Sequence, residues 1–142
     1  MRTRTFARLW GIIFIAVALT GFIPGLLTSP AADHPDMVVD TLYGDALGIF
    51  PVNVVHSILH LLYGIWGVAA ARSLGAARTY AKVVAISYGG LVILGLLPGT
   101  NTLFGLVPIF GHDVWLHALL AIPAAYFGFI HSDSDAVAGT AR

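Results

Sequence analysis

Four stretches of this chain, about residues 9–27, 50–71, 80–97 and 114–130, are apolar over nearly the whole length a helix needs to cross a bilayer. A hydrocarbon core of about 30 Å takes roughly 20 helical residues. None of the four carries Lys, Arg, Asp or Glu in its middle, and Lys82 stands only near the start of the third. In lipid every backbone polar group must be bonded internally, which leaves helix bundles and closed barrels. The short alternating segments of a barrel are missing. The pattern predicts an all-α membrane protein with four transmembrane helices in one domain, residues 1–131, followed by a disordered cytoplasmic tail over residues 132–142.

Composition agrees. The 142 residues are 58% hydrophobic and 10% charged, with a mean hydropathy of +0.87, which fits neither an ordinary soluble domain nor disorder. Seven basic and seven acidic side chains balance, so no basic excess exists to neutralise phosphates, and nucleic acid is not an expected partner. The absence of cysteine excludes disulfide scaffolds, thiolate metal sites, iron–sulfur clusters and cysteine nucleophiles.

The few charges carry an orientation. Arg2, Arg4 and Arg8 precede the first span, Arg72, Arg78 and Lys82 surround the second connection, and Arg142 ends the chain. The loops over residues 28–49 and 98–112 hold no Lys or Arg, and the first of them holds Asp33, Asp36, Asp40 and Asp45. The positive-inside rule then puts both termini and the middle connection in the cytoplasm of a bacterial cell, with the long acidic loop outside the inner membrane. The apolar run after the N-terminal arginines is longer than a signal-peptide core, and Pro30 stands where small residues would mark cleavage; a retained helix is expected.

The chain also repeats itself. Gly21-Phe-Ile-Pro24-Gly25 closes the first span and Gly95-Leu-Leu-Pro98-Gly99 the third, each proline sixteen positions after a basic residue, Arg8 and Lys82. Leu47-Gly-Ile-Phe-Pro51 precedes the second span and Phe104-Gly-Leu-Val-Pro108 the fourth, each proline nine residues before a histidine, His60 and His117. Two tandem helical hairpins of one orientation follow, a parallel repeat with a pseudo-twofold axis along the membrane normal.

Ionisable residues inside the spans are functional candidates by default. Asn53, His56 and His60 share a face of the second helix, which continues through Gly64, Gly67 and Ala71. Asp113 and His117 lie four apart on the fourth, followed by Ala121, Ala124 and Gly128. Small residues at this spacing let helices approach closely in lipid, so the second and fourth helices are expected to pack along the stripe and bring their polar ends together in the outer half of the bilayer. At 1.5 Å per residue, His60 lies roughly 13 Å along its helix from Pro51. Asn53 and His112 are expected at the rim of the site.

Three readings of this cluster compete. His56, His60, Asp113 and His117 can surround a divalent cation, a donor set that suits zinc, iron or copper. His60 and His117 can instead face each other as axial ligands of a b-type haem, although the small residues beneath them leave little space for a macrocycle. In the third reading the histidines only bond Asp113, Asn53 and backbone carbonyls, tying the hairpins together. No catalytic residue is assigned and an enzyme is not the expected reading: Ser57 beside His56 and His60 makes no relay by itself. The chain has no glutamate to serve a metalloprotease motif. Trp10, Tyr43, Tyr80, Phe104 and Trp115 fall near span ends as interface anchors, while Trp66 and Tyr88 lie deeper and read as packing.

The run from Leu47 to Gly64, with its Pro51-Val-Asn53-x-x-His56-x-x-x-His60 core, and the later Asp113-Val-Trp-Leu-His117 resemble the signature of a bacterial family of small four-helix membrane proteins, a domain of unknown function. The resemblance runs from the first span to Phe129. It implies Asn53, His56, His60, Asp113 and His117 as the positions that matter and implies no activity. The expected function is a multipass membrane protein with an outward metal-binding site, against a structural or accessory subunit that self-associates or packs on larger membrane partners.

Overall fold

The prolines that punctuate the sequence also punctuate the backbone. The computed structural model describes residues 1–133. Helix α1 (Thr3–Phe22) stops two residues before Pro24, and α3 (Leu74–Leu96) two residues before Pro98. In both, the residue preceding proline is extended, Ile23 at φ −98° and Leu97 at φ −94°, because the proline ring disfavours the helical conformation there. Helix α2 (Val54–Ala70) starts after Pro51 with Asn53 as its N-cap, and α3 with Ser73; each side-chain oxygen accepts the N–H three residues on. Helix α4 (His112–Ala125) contains Pro123 and continues as a π-helical turn over Tyr126–Ile130.

Three helical segments, Thr3–Phe22, Leu74–Leu96 and His112–Ile130, are long and apolar enough to cross a membrane, and α2 is apolar but shorter at 17 residues. The helices extend beyond the apolar windows at the charged end of the molecule, so α1 and α3 begin six residues before the spans expected from hydropathy. At the other end α2 begins later, because residues 50–52 form a strand.

That strand belongs to a sheet that the sequence pattern missed. Strands β1 (Leu27–Thr28), β2 (Gly44–Ala46) and β3 (Phe50–Val52) pair antiparallel in that order. The turn between β2 and β3 has Leu47 at φ +56° and Gly48 at φ +70°. Phe104 and Gly105, in the second long loop, show the same conformation at φ +61° and +82°. Both turns also close with the same pair of bonds, Gly48 N–H to Asp45 O with Ile49 N–H to Ala46 O, and Gly105 N–H to Thr102 O with Leu106 N–H to Leu103 O.

The two loops are stitched together. Val38 and Val39 N–H both donate to Gly105 O, Asn53 Nδ2 donates to Val39 O and Leu106 O, and the His34 ring lies against Phe110 and 3.5 Å from the Asp45 carboxylate. Tyr43 is tied to this loop through Pro35 O. Partial burial, then the nearby Asp45 and Asp36 charges, raise its phenol pKa above the ordinary value.

At the opposite end Arg4 Nε donates to Ala71 O, Arg78 Nη2 to His131 O, and Thr3 N–H to Asp133 Oδ1. Asp133 thus caps α1 from elsewhere in the chain, where Arg2 offers no side-chain cap. The expected tail begins at residue 132, and all of it beyond Asp133 lies outside the described residues.

The helices pair differently from the expectation. Gly64 and Gly67 do not face α4: an added Cβ on Gly64 would meet Ile15 N at 2.8 Å and Gly11 O at 2.9 Å on α1, and one on Gly67 would meet Gly11 Cα and the Tyr80 ring of α3. Gly11 in turn abuts Gly64 O and Val68 N. Gly128 of the second stripe abuts Lys82 and Ala81 on α3. The closest packing is therefore α1 on α2 and α3 on α4, and the small residues serve each sequence-adjacent pair. The core between the pairs is aromatic and small: Phe6, Phe14, Tyr80, Val84, Tyr88, Ala124 and Phe127 are all buried. Tyr80, read from sequence as an interface anchor, is fully buried. Trp10 packs on Phe6 and donates its indole N–H to Leu120 O, so it ties α1 to α4.

Candidate histidine centre

The first turns of α2 and the first turns of α4 face each other beneath the two loops. His56 and His60 lie one turn apart on α2, Asp113 and His117 one turn apart on α4, and none of the four is more than 3% exposed. His60 is six residues into α2, about 9 Å along the axis from its first residue.

The geometry is tight. His56 Nε2 and His60 Nε2 are 3.1 Å apart, a hydrogen bond in which one ring donates and the other accepts. Asp113 Oδ2 lies 3.3 Å from His117 Nε2 and 3.7 Å from His56 Nε2. One ring nitrogen from each of His56, His60 and His117 falls within 4.8 Å of the other two. Asp113 stands beside His56 and His117 and outside that closest set. The four residues that spacing singled out are thus brought together, although the stripe beneath them packs elsewhere.

Most of their polar atoms are unsatisfied. The Nδ1 atoms of His56, His60 and His117 are buried without a hydrogen-bond partner among the described residues, and His117 Nε2 and Asp113 Oδ2 face each other outside hydrogen-bond geometry. Buried polar atoms are nearly always paired, and an ionised carboxylate in apolar surroundings needs a compensating charge.

Two residues placed at the rim have other duties. Asn53 is fully buried and spends its side chain on the α2 cap and the two loop carbonyls. His112 is exposed and accepts through Nδ1 from the Trp115 indole. Sequence reasoning missed the aromatic lining: the Phe14 ring meets His60 edge-on at 5.3 Å and the Tyr88 ring meets His117 edge-on at 5.0 Å. The available signal was the repeat itself, since the offset that takes Arg8 to Lys82 also takes Phe14 to Tyr88.

Two cavities flank the cluster and share His56 and His60 as a wall. One, about 230 Å³, lies between α1 and α4 under the β2–β3 turn. The other, about 200 Å³, lies between α2 and α3 under the second loop.

The molecule is thus a helical protein with helices apolar and long enough to cross a membrane and a buried histidine cluster at the head of two of them. The chain belongs to the family described as domain of unknown function DUF4383, whose model matches residues 4–130. No curated protein and no solved structure matches the chain.

Proposed function

We propose that this is a four-span protein of the bacterial inner membrane, built from two tandem hairpins, that binds one divalent transition-metal ion between α2 and α4. His56, His60 and His117 hold the ion, and Asp113 beside them supplies compensating charge and the fourth position. The observation that carries this reading is the convergence of one ring nitrogen from each of His56, His60 and His117 within 4.8 Å, in a buried site beside the Asp113 carboxylate.

Distances support it. Two nitrogens on a tetrahedral ion, each about 2.0–2.1 Å from the metal, stand about 3.3 Å apart. His56 and His60 are already at 3.1 Å, and the third nitrogen needs a shift of an ångström or so. Nitrogen and carboxylate donors suit zinc, iron or copper. A haem between His60 and His117 fits poorly: His56 lies within 4.7 and 5.9 Å of the two rings, and Tyr88 within 6.0 and 5.0 Å. A macrocycle would have to pass through both side chains.

The hairpin repeat is supported by the paired positive-φ turns, by Phe14–His60 matched with Tyr88–His117, and by the glycines that end α1 and α3. Gly21 abuts Ser57 and Val52, and Gly95 abuts their counterparts Val114 and Ile109. The orientation rests on the basic residues gathered at the Arg4, Arg78 and Asp133 end, which the positive-inside rule places in the cytoplasm. As for α2, 17 helical residues rise about 25 Å, and β3 continues the run beyond it.

The test is metal analysis by mass spectrometry on protein purified in mild detergent, with a visible spectrum alongside. One equivalent of metal, lost in His60→Ala and His117→Ala, is expected. A Soret band would favour haem, and a colourless, metal-free, folded preparation would favour the accessory subunit.

A further inference from the structure

The cavity between α1 and α4 is open to one side. Ala16 and Leu47 line it and are exposed, so its mouth lies on a helix face that the membrane reading puts against lipid. The mouth and walls are apolar, with Val17, Phe50 and Leu116 among them, and no Lys or Arg contributes. His56, His60 and Asp113 stand at its inner end, and the apolar mouth favours entry of a molecule soluble in lipid.

The back wall is different. Ser57 is 3% exposed, lines the cavity, and its Oγ has no hydrogen-bond partner among the described residues. A helical serine ordinarily returns its hydroxyl to a carbonyl of the preceding turn, and this one does not. Its space comes from Gly21, where any Cβ would collide with the hydroxyl. Thr20, the other hydroxyl in the lining, already donates to Val17 O.

The second cavity acts as an internal control. The offset that takes Pro51 to Pro108 takes Phe50, Val52 and Leu59 to Val107, Ile109 and Leu116. Phe50, Val52 and Leu116 line the first cavity, while Val107, Ile109 and Leu59 line the second. The counterpart of Ser57 is Val114, and the Tyr63 and Ser87 hydroxyls in the second cavity bond each other. At the position equivalent to Ser57 the second cavity therefore has no hydroxyl, although Tyr88 also lines it.

We propose that the α1–α4 cleft binds a lipid-soluble molecule bearing a hydrogen-bond-accepting carbonyl, which enters from the bilayer and accepts the Ser57 hydroxyl. The cleft shares His56, His60 and Asp113 with the metal reading, and the Ser57 donor is separate from those ligands.

The probe is decylubiquinone, a carbonyl-bearing ring on an alkyl chain, titrated into the full chain in lipid nanodiscs. Trp115 packs on Phe50 at the cleft, with ring centroids 5.4 Å apart, so quenching of its fluorescence reports occupancy. Saturable one-to-one quenching is expected. Ser57→Ala should weaken it about tenfold, the worth of one well-made hydrogen bond. Ala16→Phe at the exposed mouth should abolish it, while Leu59→Phe in the second cavity should leave it unchanged. Decylbenzene, which lacks a carbonyl, should bind at least tenfold more weakly. The proposal is overturned by quenching that never saturates, by equal affinity in Ser57→Ala of unchanged melting temperature, by equal binding of decylbenzene, or by Leu59→Phe acting like Ala16→Phe.

Discussion

Replacing Gly64 by alanine tests which helices this chain packs together. An added Cβ would lie 2.6 Å from Ile15 Cγ1, 2.8 Å from Ile15 N and 2.9 Å from Gly11 O. The last two atoms are backbone, so no rotamer relieves the clash and α1 must move away from α2 by several tenths of an ångström. Overpacking of this kind costs about 1–3 kcal/mol, against which alanine recovers about 1 kcal/mol of helix propensity over glycine. The net loss is up to about 2 kcal/mol, which for a chain of this size is up to roughly 8 °C in melting temperature. Gly89 and Gly90 on α3 have nothing within 4 Å of a built Cβ, so their alanine variants should be neutral or slightly stabilised. Thermal unfolding in one detergent, followed by circular dichroism, compares the three. Because Gly11 and Gly64 meet in the same contact, the Gly11→Ala/Gly64→Ala double variant should lose less than the sum of the singles. A Gly64→Ala protein stabilised as much as the Gly89 and Gly90 variants, or equal damage at Gly89, would refute close α1–α2 packing.

Other outcomes follow from named contacts. Asn53→Ala removes the α2 cap, worth about 1 kcal/mol, and strands the Val39 and Leu106 carbonyls at about 1–3 kcal/mol each. A loss of about 3–7 kcal/mol is expected, and Asn53→Asp, which keeps the cap acceptor but not the two donors, should fall between wild type and alanine in the same melts. The Asp133 carboxyl is held below its ordinary pKa: partial burial opposes the shift, and the Thr3 hydrogen bonds with the His131 and Arg78 charges outweigh it. Its contribution is therefore present above the ordinary carboxylate range and lost as pH falls through the lowered value. Wild type should lose stability on the acid side in a pH series of melts, and Asp133→Asn should lose less. A reporter fused after Arg142 should be active only in the cytoplasm, and activity outside would reverse the orientation.

Much of this was legible in sequence because membranes constrain so strongly. Four apolar runs, their proline stops and the spacing of His56, His60, Asp113 and His117 all reappear as helices, helix ends and a cluster. The partner of each helix was not legible. A stripe of Gly64 and Gly67 says that some backbone comes close, not whose, and Gly11 on α1 was the overlooked half of that contact. The small sheet was hidden because strands of two or three residues show no alternation, and Pro51 in β3 argues against a strand. Tyr88 looked like one aromatic among many; only the repeat, carried through to Phe14, marks it as the neighbour of His117.

The central claim is that the histidine cluster is a metal site, and cobalt(II) tests it most directly. Titrated into metal-stripped protein, cobalt should bind at one equivalent and give the intense visible bands of a four-coordinate nitrogen and oxygen site. Those bands should disappear in His60→Ala and His117→Ala and weaken in Asp113→Asn. Only the weak bands of hydrated cobalt, unchanged by the histidine variants in protein that remains folded, would contradict the account.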